Sequence, residues 1–137
     1  TVMATQTKKV TTKTNKLTTQ SAKSEIFAHA KYVRISPSKL RRIANIVRGS
    51  SVADAVPVLK SLPHKGAEIL LKVIQSATAN AVNNDKKEAG DLFISSLLVN
   101  QGPKFKRFQA RARGRVFGIE KKTSHIIVGV AESNGGK

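Results

Sequence analysis

A long basic connector between two apolar segments places the strongest constraint on how this chain can fold. Residues 92–99 (LFISSLLV) and 116–131 are rich in the aliphatic and β-branched side chains that favour strands. A tight hairpin joins its strands with about two to five residues. Residues 100–115 (NQGPKFKRFQARARGR) are far longer, contain two glycines and have no acid. We therefore predict an extended, projecting hairpin arm over residues 101–115.

The net charge of the chain indicates a polyanionic partner. Its 137 residues carry 25 Lys and Arg against 8 Asp and Glu, a formal charge of +17. Hydrophobic residues make up 39% of the sequence, enough for one modest core. No apolar run approaches the roughly 18 residues of a membrane span, so we expect no membrane insertion.

The charge and composition divide the chain into three parts. Residues 1–27 begin with a Thr/Lys-rich stretch that lacks hydrophobic periodicity, and we predict a disordered basic tail. Residues 28–131 are expected to form a single domain. Residues 132–137 are expected to be a flexible C-terminal tail.

The domain is predicted to contain three strands and three helices. Residues 27–35 alternate as a short strand. Ser36 and Pro37 then start a helix through Arg48, with Leu40, Ile43, Ala44 and Val47 on its apolar face and Lys39, Arg41, Arg42 and Arg48 away from it.

The next two helices follow directly. Ser51 and Asp54 suggest a second helix with Val52, Ala55, Val56 and Leu59 buried, although Pro57 requires either a cap at Asp54 or a kink. A third helix is predicted over residues 64–83. We expect an α+β fold, in which a three-stranded antiparallel sheet packs against three helices and a long β-hairpin projects.

The sequence contains no recognisable catalytic, metal or cofactor site. There is no cysteine, which excludes thiol chemistry and Cys-ligated metals, and the three histidines (His29, His64, His125) lack ligand spacing. Ser124 and His125 are adjacent in a strand and point to opposite faces, so the histidine cannot activate the serine. No glycine-rich phosphate loop is present. We expect a protein that is not an enzyme and needs no cofactor or metal.

The connector instead has the composition of an RNA-binding segment. Six cations lie between residues 101 and 115 with no acid among them. Phe105 and Phe108 are interleaved with these cations and could stack on unpaired bases. The alternative is that the two rings pack at the base of the hairpin and the cations are simply solvated.

Several motifs together resemble the large-subunit ribosomal protein family L-twenty-two, of bacterial or organellar type. The main segment runs from Lys106 through RARGR (111–115) to HIIVGV (125–130). YVRISPSK (32–39), SATANA (76–81) and GP (102–103) support it in the same order. The resemblance spans residues 28–131.

This resemblance implies a structural protein of the large ribosomal subunit that binds rRNA, supports assembly and lines the nascent-peptide exit tunnel with its hairpin tip. Its partners would be large-subunit rRNA, neighbouring ribosomal proteins and the nascent polypeptide, without a homo-oligomer. The expected location is the bacterial cytoplasm or, alternatively, the plastid stroma. The expected tunnel-lining residues are Gln109, Ala110, Arg111, Ala112, Arg113 and Gly114. The expected rRNA-binding residues are Lys39, Arg41, Arg42, Arg48, Lys104, Lys106, Arg107, Arg111, Arg113, Arg115, Lys121, Lys122 and His125.

Two other classes of function compete with this interpretation. An architectural DNA-binding protein could use the same arm as a minor-groove wedge. Such a protein would need to form a two-fold dimer. The sequence shows no apolar stripe, beyond those assigned to the core, that could form the dimer interface. An RNA-processing enzyme would need a catalytic constellation, and the sequence offers none.

Overall fold

The computed structural model describes residues 25–132, which form three helices and three strands. In chain order the elements are β1 (Ile26–Val33), α1 (Pro37–Val47), α2 (Val52–Ser61), α3 (Lys65–Asp85), β2 (Leu92–Ala110) and β3 (Val116–Glu132). The predicted α+β class is confirmed. Most of the two predicted tails, residues 1–24 and 133–137, lies outside the described residues.

The sheet is antiparallel throughout, with the strand order β1-β3-β2. The central strand β3 pairs Val128 with Ala28 on one side and with Leu97 on the other. The register shifts, between residues 30 and 33, 94 and 96, and 101 and 104, each insert the extra residue into β1 or β2. The strand β3 is therefore continuous along its whole length.

The core lies between the three helices and one face of the sheet. Ile126, Val128 and Val130 alternate along β3 and are fully buried, as expected for the inner face of a half-covered sheet. The helices contribute Leu40, Leu70 and Ile74 among others. All four residues of the predicted apolar face of α1 are buried, which confirms that prediction.

The strand β2 extends well beyond its predicted end at residue 99. It continues to Ala110 and pairs with β3 as far as the final pair, Ala110 with Val116. The sequence concealed this because both faces of the ribbon are exposed, so no hydrophobic alternation marks it. The predicted end of this strand at residue 99 is thus wrong, whereas the predicted projecting hairpin is confirmed.

Ser51 is the N-cap of helix α2, which passes through Pro57. The Ser51 Oγ accepts a hydrogen bond from the Asp54 backbone N–H at 3.1 Å and donates to the Asp54 carboxylate at 2.7 Å. The N-cap is therefore Ser51, and the suggested cap at Asp54 is wrong. Val56, which we expected to be buried, is only half-buried.

Replacing Ser51 with alanine should lower the free energy of unfolding by about 1 kcal/mol, because the Asp54 N–H loses its partner. Urea unfolding followed by circular dichroism would measure the change. Ser76→Ala, at an exposed position inside α3, is the matched control and should have little effect. Equal losses in the two variants would contradict a capping role.

Candidate nucleic-acid interface

A two-stranded ribbon formed by residues 104–122, here called the hairpin arm, extends beyond the core. Apart from the half-buried Ile119, all of its side chains are exposed. The arm contains eight Lys and Arg and a single acid, Glu120. Because its shape comes from backbone pairing rather than from burial, its cations are free to face a partner.

The tip of the arm is a tight turn over residues 111–115. The Arg111 N–H donates to the Arg115 C=O at 2.8 Å, and the Arg115 N–H donates to the Ala112 C=O at 3.4 Å. Arg113 (φ 58°) and Gly114 (φ 69°) both occupy the left-handed region. For an arginine this conformation costs about 1–2 kcal/mol. The turn thus holds three arginine backbones within five residues at the end of the ribbon.

Three contacts stabilise the base of the arm, and one of them, Arg34 with Phe105, links it to the rest of the domain. The Thr123 Oγ1 donates to the Pro103 C=O at 2.7 Å. The Arg34 guanidinium lies over the Phe105 ring, 5.5 Å from its centroid. The Lys104 Nζ lies 3.2 Å from the Glu120 carboxylate, a surface pair that contributes little to stability but offsets one positive charge.

The two interleaved phenylalanines have different surroundings. Phe105 packs beneath Arg34 at the base of the arm, whereas Phe108 is 78% exposed and lies opposite Gly118, which offers no side chain. Phe117 is also exposed, with Arg111 5.6 Å from its ring centroid. The open rings available for stacking are therefore Phe108 and Phe117, and sequence reasoning missed the second.

Two of the predicted RNA-binding arginines on α1 also bond to the protein itself. The Arg41 Nε and Nη2 donate to the Val99 C=O at 3.2 and 3.0 Å, and the Arg48 Nη2 donates to the Leu97 C=O at 2.8 Å. β2 is an edge strand of the described sheet, so its outer side is open to such contacts. A guanidinium has five N–H donors, so both arginines keep donors for a phosphate.

A cleft of about 750 Å³ lies where the base of the arm meets the beginnings of α1 and α3. We call it the basic cleft, because six cations line it together with Glu120 and His64: Arg34, Lys39, Arg42, Lys65, Lys121 and Lys122. Ile35 and Ile43 contribute apolar surface to its wall. The cleft gathers four predicted residues (Lys39, Arg42, Lys121, Lys122) and three that were not predicted (Arg34, His64, Lys65).

The family model described as Ribosomal protein L22p/L17e matches residues 28–131 of the chain. The chain belongs to this family. The match has the same bounds as the resemblance inferred from the motifs, which it confirms.

Curated relatives agree with the L22p/L17e assignment. The Large ribosomal subunit protein uL22 of Clostridioides difficile (strain 630) is 49% identical over 108 residues, which cover 79% of this chain and 97% of that protein. The protein of the same name from Clostridium novyi (strain NT) is 46% identical over 108 residues, with the same two shares. The matched region includes the whole hairpin arm in the family model.

His125 has a structural contact in this L22p/L17e chain. Its Nδ1 accepts a hydrogen bond from the Tyr32 N–H at 3.0 Å, and the two rings meet edge to face with centroids 4.9 Å apart. Tyr32 has a φ of 58°, so the histidine holds the backbone at the irregular end of β1. The remaining ring nitrogen, Nε2, is the atom through which the predicted RNA contact would occur.

Ser124 and His125 do not form a nucleophile–base pair, and the described residues hold no group of metal ligands. Ser124 is buried, and its Oγ donates to the Ile35 C=O. A catalytic serine would instead donate this hydrogen bond to a general base. Within residues 25–132 no three His, Asp or Glu side chains are grouped as metal ligands. Nor is any helix in that range long and apolar enough to cross a bilayer.

Proposed function

We propose that this chain is a structural protein of the large ribosomal subunit that binds large-subunit rRNA, supports assembly of the subunit and lines the nascent-peptide exit tunnel with its hairpin tip. The observation that carries the proposal is the hairpin arm. An exposed ribbon with eight cations and one acid is explained if its faces lie against RNA phosphates. The names of the curated relatives supply the large subunit as the assembly.

Electrostatics make a free arm unfavourable and a bound arm favourable. At physiological ionic strength the screening length is about 8 Å, longer than the spacing between neighbouring strands of the ribbon. Lys104 lies directly opposite Lys122, which follows Lys121 in β3, so three cations lie together at the base. Like charges directly opposite each other are destabilising in a sheet. Phosphates along both sides of the ribbon would relieve this repulsion.

The small residues at the tip support the proposed role as a tunnel lining. Ala110, Ala112 and Gly114 are small, and the turn is closed by its own backbone hydrogen bonds. Flanking cations on the two strands can bind phosphates while the small residues border an open lumen. Because both of these relatives are bacterial, the proposed location is the ribosome of a bacterial cytoplasm. The plastid stroma is the alternative.

Removing the arm tests the function separately from the fold. In the variant, Asn-Gly replaces residues 105–121, so that a two-residue turn joins Lys104 to Lys122, which already face each other. Because the buried core lies elsewhere, we expect cooperative thermal unfolding within a few degrees of the wild type. Loss of the Arg34–Phe105 contact is the main cost to the domain.

The same variant should bind large subunits much more weakly. Wild-type chain and variant would be mixed with core particles stripped of this protein and sedimented in high salt. We expect the wild type to co-sediment and the folded variant to be left in the supernatant. Equal co-sedimentation would contradict binding through the arm, and recovery of the wild type with bulk DNA instead of subunits would favour the architectural DNA-binding alternative.

A further inference from the structure

We propose, on the basis of the rRNA-binding function proposed above, that the basic cleft is a second RNA site, which holds one unpaired nucleotide together with its flanking phosphates. The cleft lies at the base of the arm, which contributes Glu120, Lys121 and Lys122, and it is completed by two segments distant in sequence: the β1–α1 connection with α1, and the start of α3. Its occupant is inferred from charge, from helix position and from shape.

The charge of the cleft calls for an anion. Six Lys and Arg side chains line it, and the single acid in the lining, Glu120, is already paired with Lys104 at 3.2 Å. Cations gathered around one concavity repel each other more strongly than the same charges spread over a convex surface, because the walls exclude water. Two phosphates would neutralise part of this charge.

Two of these lysines occupy positions that are unfavourable for the folded chain alone. Lys39 lies in the first turn of α1 and Lys65 is the first residue of α3, where the helix macrodipole repels cations. Neither helix has a side-chain hydrogen bond at its N-cap. α1 has no acid in its first turn, and the acid in the first turn of α3, Glu68, is paired with Lys72 at 3.2 Å. By contrast α2, which does not reach the cleft, has both a capping serine and Asp54. A phosphate between the two helix N-termini would interact favourably with both the helix dipoles and the lysines.

The shape of the cleft fits a nucleotide rather than a duplex. Its volume of about 750 Å³ lies within the range of about 300–1,000 Å³ typical of small-molecule sites. Ile35 and Ile43 supply apolar wall, and His64 is an exposed planar ring in the lining that could stack on a base. At Gly66 a Cβ would lie 2.8 Å from the Ile43 Cδ1, so glycine allows the start of α3 to approach α1 closely.

The cleft is also coupled to the arm through Arg34. This guanidinium lines the cleft and at the same time lies over the Phe105 ring at the arm's base. A planar group held against an aromatic ring loses less freedom when it binds a phosphate. A nucleotide bound in the cleft therefore helps to hold the arm in place through Arg34. In turn, an arm that is held in place keeps Arg34 in position to bind in the cleft.

The first test compares two double variants of the full chain. Lys39→Gln with Lys65→Gln removes two cleft cations, and Lys60→Gln with Lys72→Gln removes two exposed helix lysines outside the cleft. Filter binding to bacterial large-subunit rRNA would be measured across a salt series. We expect the log–log salt slope to fall by about 1.4 in the cleft variant, from about 0.7 for each single-strand contact, and much less in the control.

Thermal unfolding of the same variants separates binding from folding. The cleft variant should melt no lower than the wild type, because it removes cations from two helix N-termini. Weaker binding together with an equal or higher melting temperature would support the proposal. Equal salt slopes for the two double variants would overturn it.

A second test detects the base itself. The chain contains no tryptophan, so His64→Trp introduces a single reporter at the cleft. We expect a single-stranded oligouridylate to quench its fluorescence by stacking, and a duplex of equal length to quench it much less. Quenching should be lost when Lys39→Gln and Lys65→Gln are added. Equal quenching by the duplex, or stronger quenching by polyglutamate, would overturn the assignment, the latter in favour of an acidic protein segment.

The outcomes distinguish this site from the general function. If the wild-type chain fails to bind large-subunit rRNA at all, the rRNA-binding function proposed above is wrong. If the wild type binds and the arm variants weaken binding while the cleft variant matches its control, the function stands and the cleft site alone is rejected.

Discussion

Replacing Arg111, Arg113 and Arg115 together with alanine is expected to weaken binding to large-subunit rRNA by about two orders of magnitude at physiological salt. The three side chains are exposed at the closed tip of the arm, where the backbone turn directs them away from the core. Each lost phosphate contact removes up to about 0.9 from the log–log salt slope, so the slope should flatten by up to about 2.7. Filter binding over a salt series measures both quantities.

A control with the same change in charge makes this result specific. The triple variant Lys60→Ala, Lys72→Ala, Lys86→Ala also removes three exposed cations, but from α2 and the α3 end rather than from the arm. It should retain most of the wild-type affinity and slope. Both triple variants should unfold at nearly the wild-type temperature, because none of the six residues belongs to the core. An unchanged slope in the arginine variant would show that the tip does not contact phosphates.

Ala112→Trp is expected to change the passage of nascent chains without preventing subunit assembly. Ala112 lies in the turn at the end of the arm, and its side chain is exposed. If the tip borders the tunnel, an indole there narrows the lumen, while the cations that bind RNA are untouched. Stalling on an arrest peptide and sensitivity to a tunnel-bound macrolide should both differ from the wild type in ribosomes that carry the variant.

The matched control places the same bulk outside the arm. Ala53 is exposed on α2, and Ala53→Trp adds an equal side chain there. Sucrose-gradient profiles would show that both variants enter subunits. Wild-type stalling and macrolide response in the Ala112→Trp ribosomes would place the tip away from the tunnel wall.

The elements that the sequence predicted well are those in which burial imposes a period. On α1 the apolar spacing identified all four core residues, including Leu40 and Val47, because only one side of the helix meets the sheet. The strand β2 was predicted only to residue 99, since the part beyond it is solvated on both faces. We gave Pro57 too much weight as a helix breaker. It removes one backbone hydrogen bond from α2, but the burial of Ala55 and Leu59 outweighs that cost.

The sequence shows which cations are neighbours along the chain, but not which separate segments the fold brings together. The cations of the arm form one run, whereas Arg34 and Lys65 reach the basic cleft from separate segments that only the fold brings together. The contacts of Arg41 and Arg48 with β2 carbonyls likewise depend on tertiary position. A local signal for the cleft did exist, because lysines at the starts of α1 and α3 oppose the helix macrodipole.

Because β3 is uninterrupted, the arm and the core move together as one rigid unit. One 17-residue strand supplies both the buried Ile126, Val128 and Val130 and one side of the arm, and all the bulges fall on its partners. The paired length from residue 104 to residue 110 is about 20 Å at about 3.4 Å per residue in an antiparallel pair. A tilt of about 10° at the base would displace the tip by about 3.5 Å, comparable to the length of a small side chain. The orientation in which the folded domain binds therefore sets the position of the tip. A force applied to the tip is resisted by the packed core at the other end of the same strand.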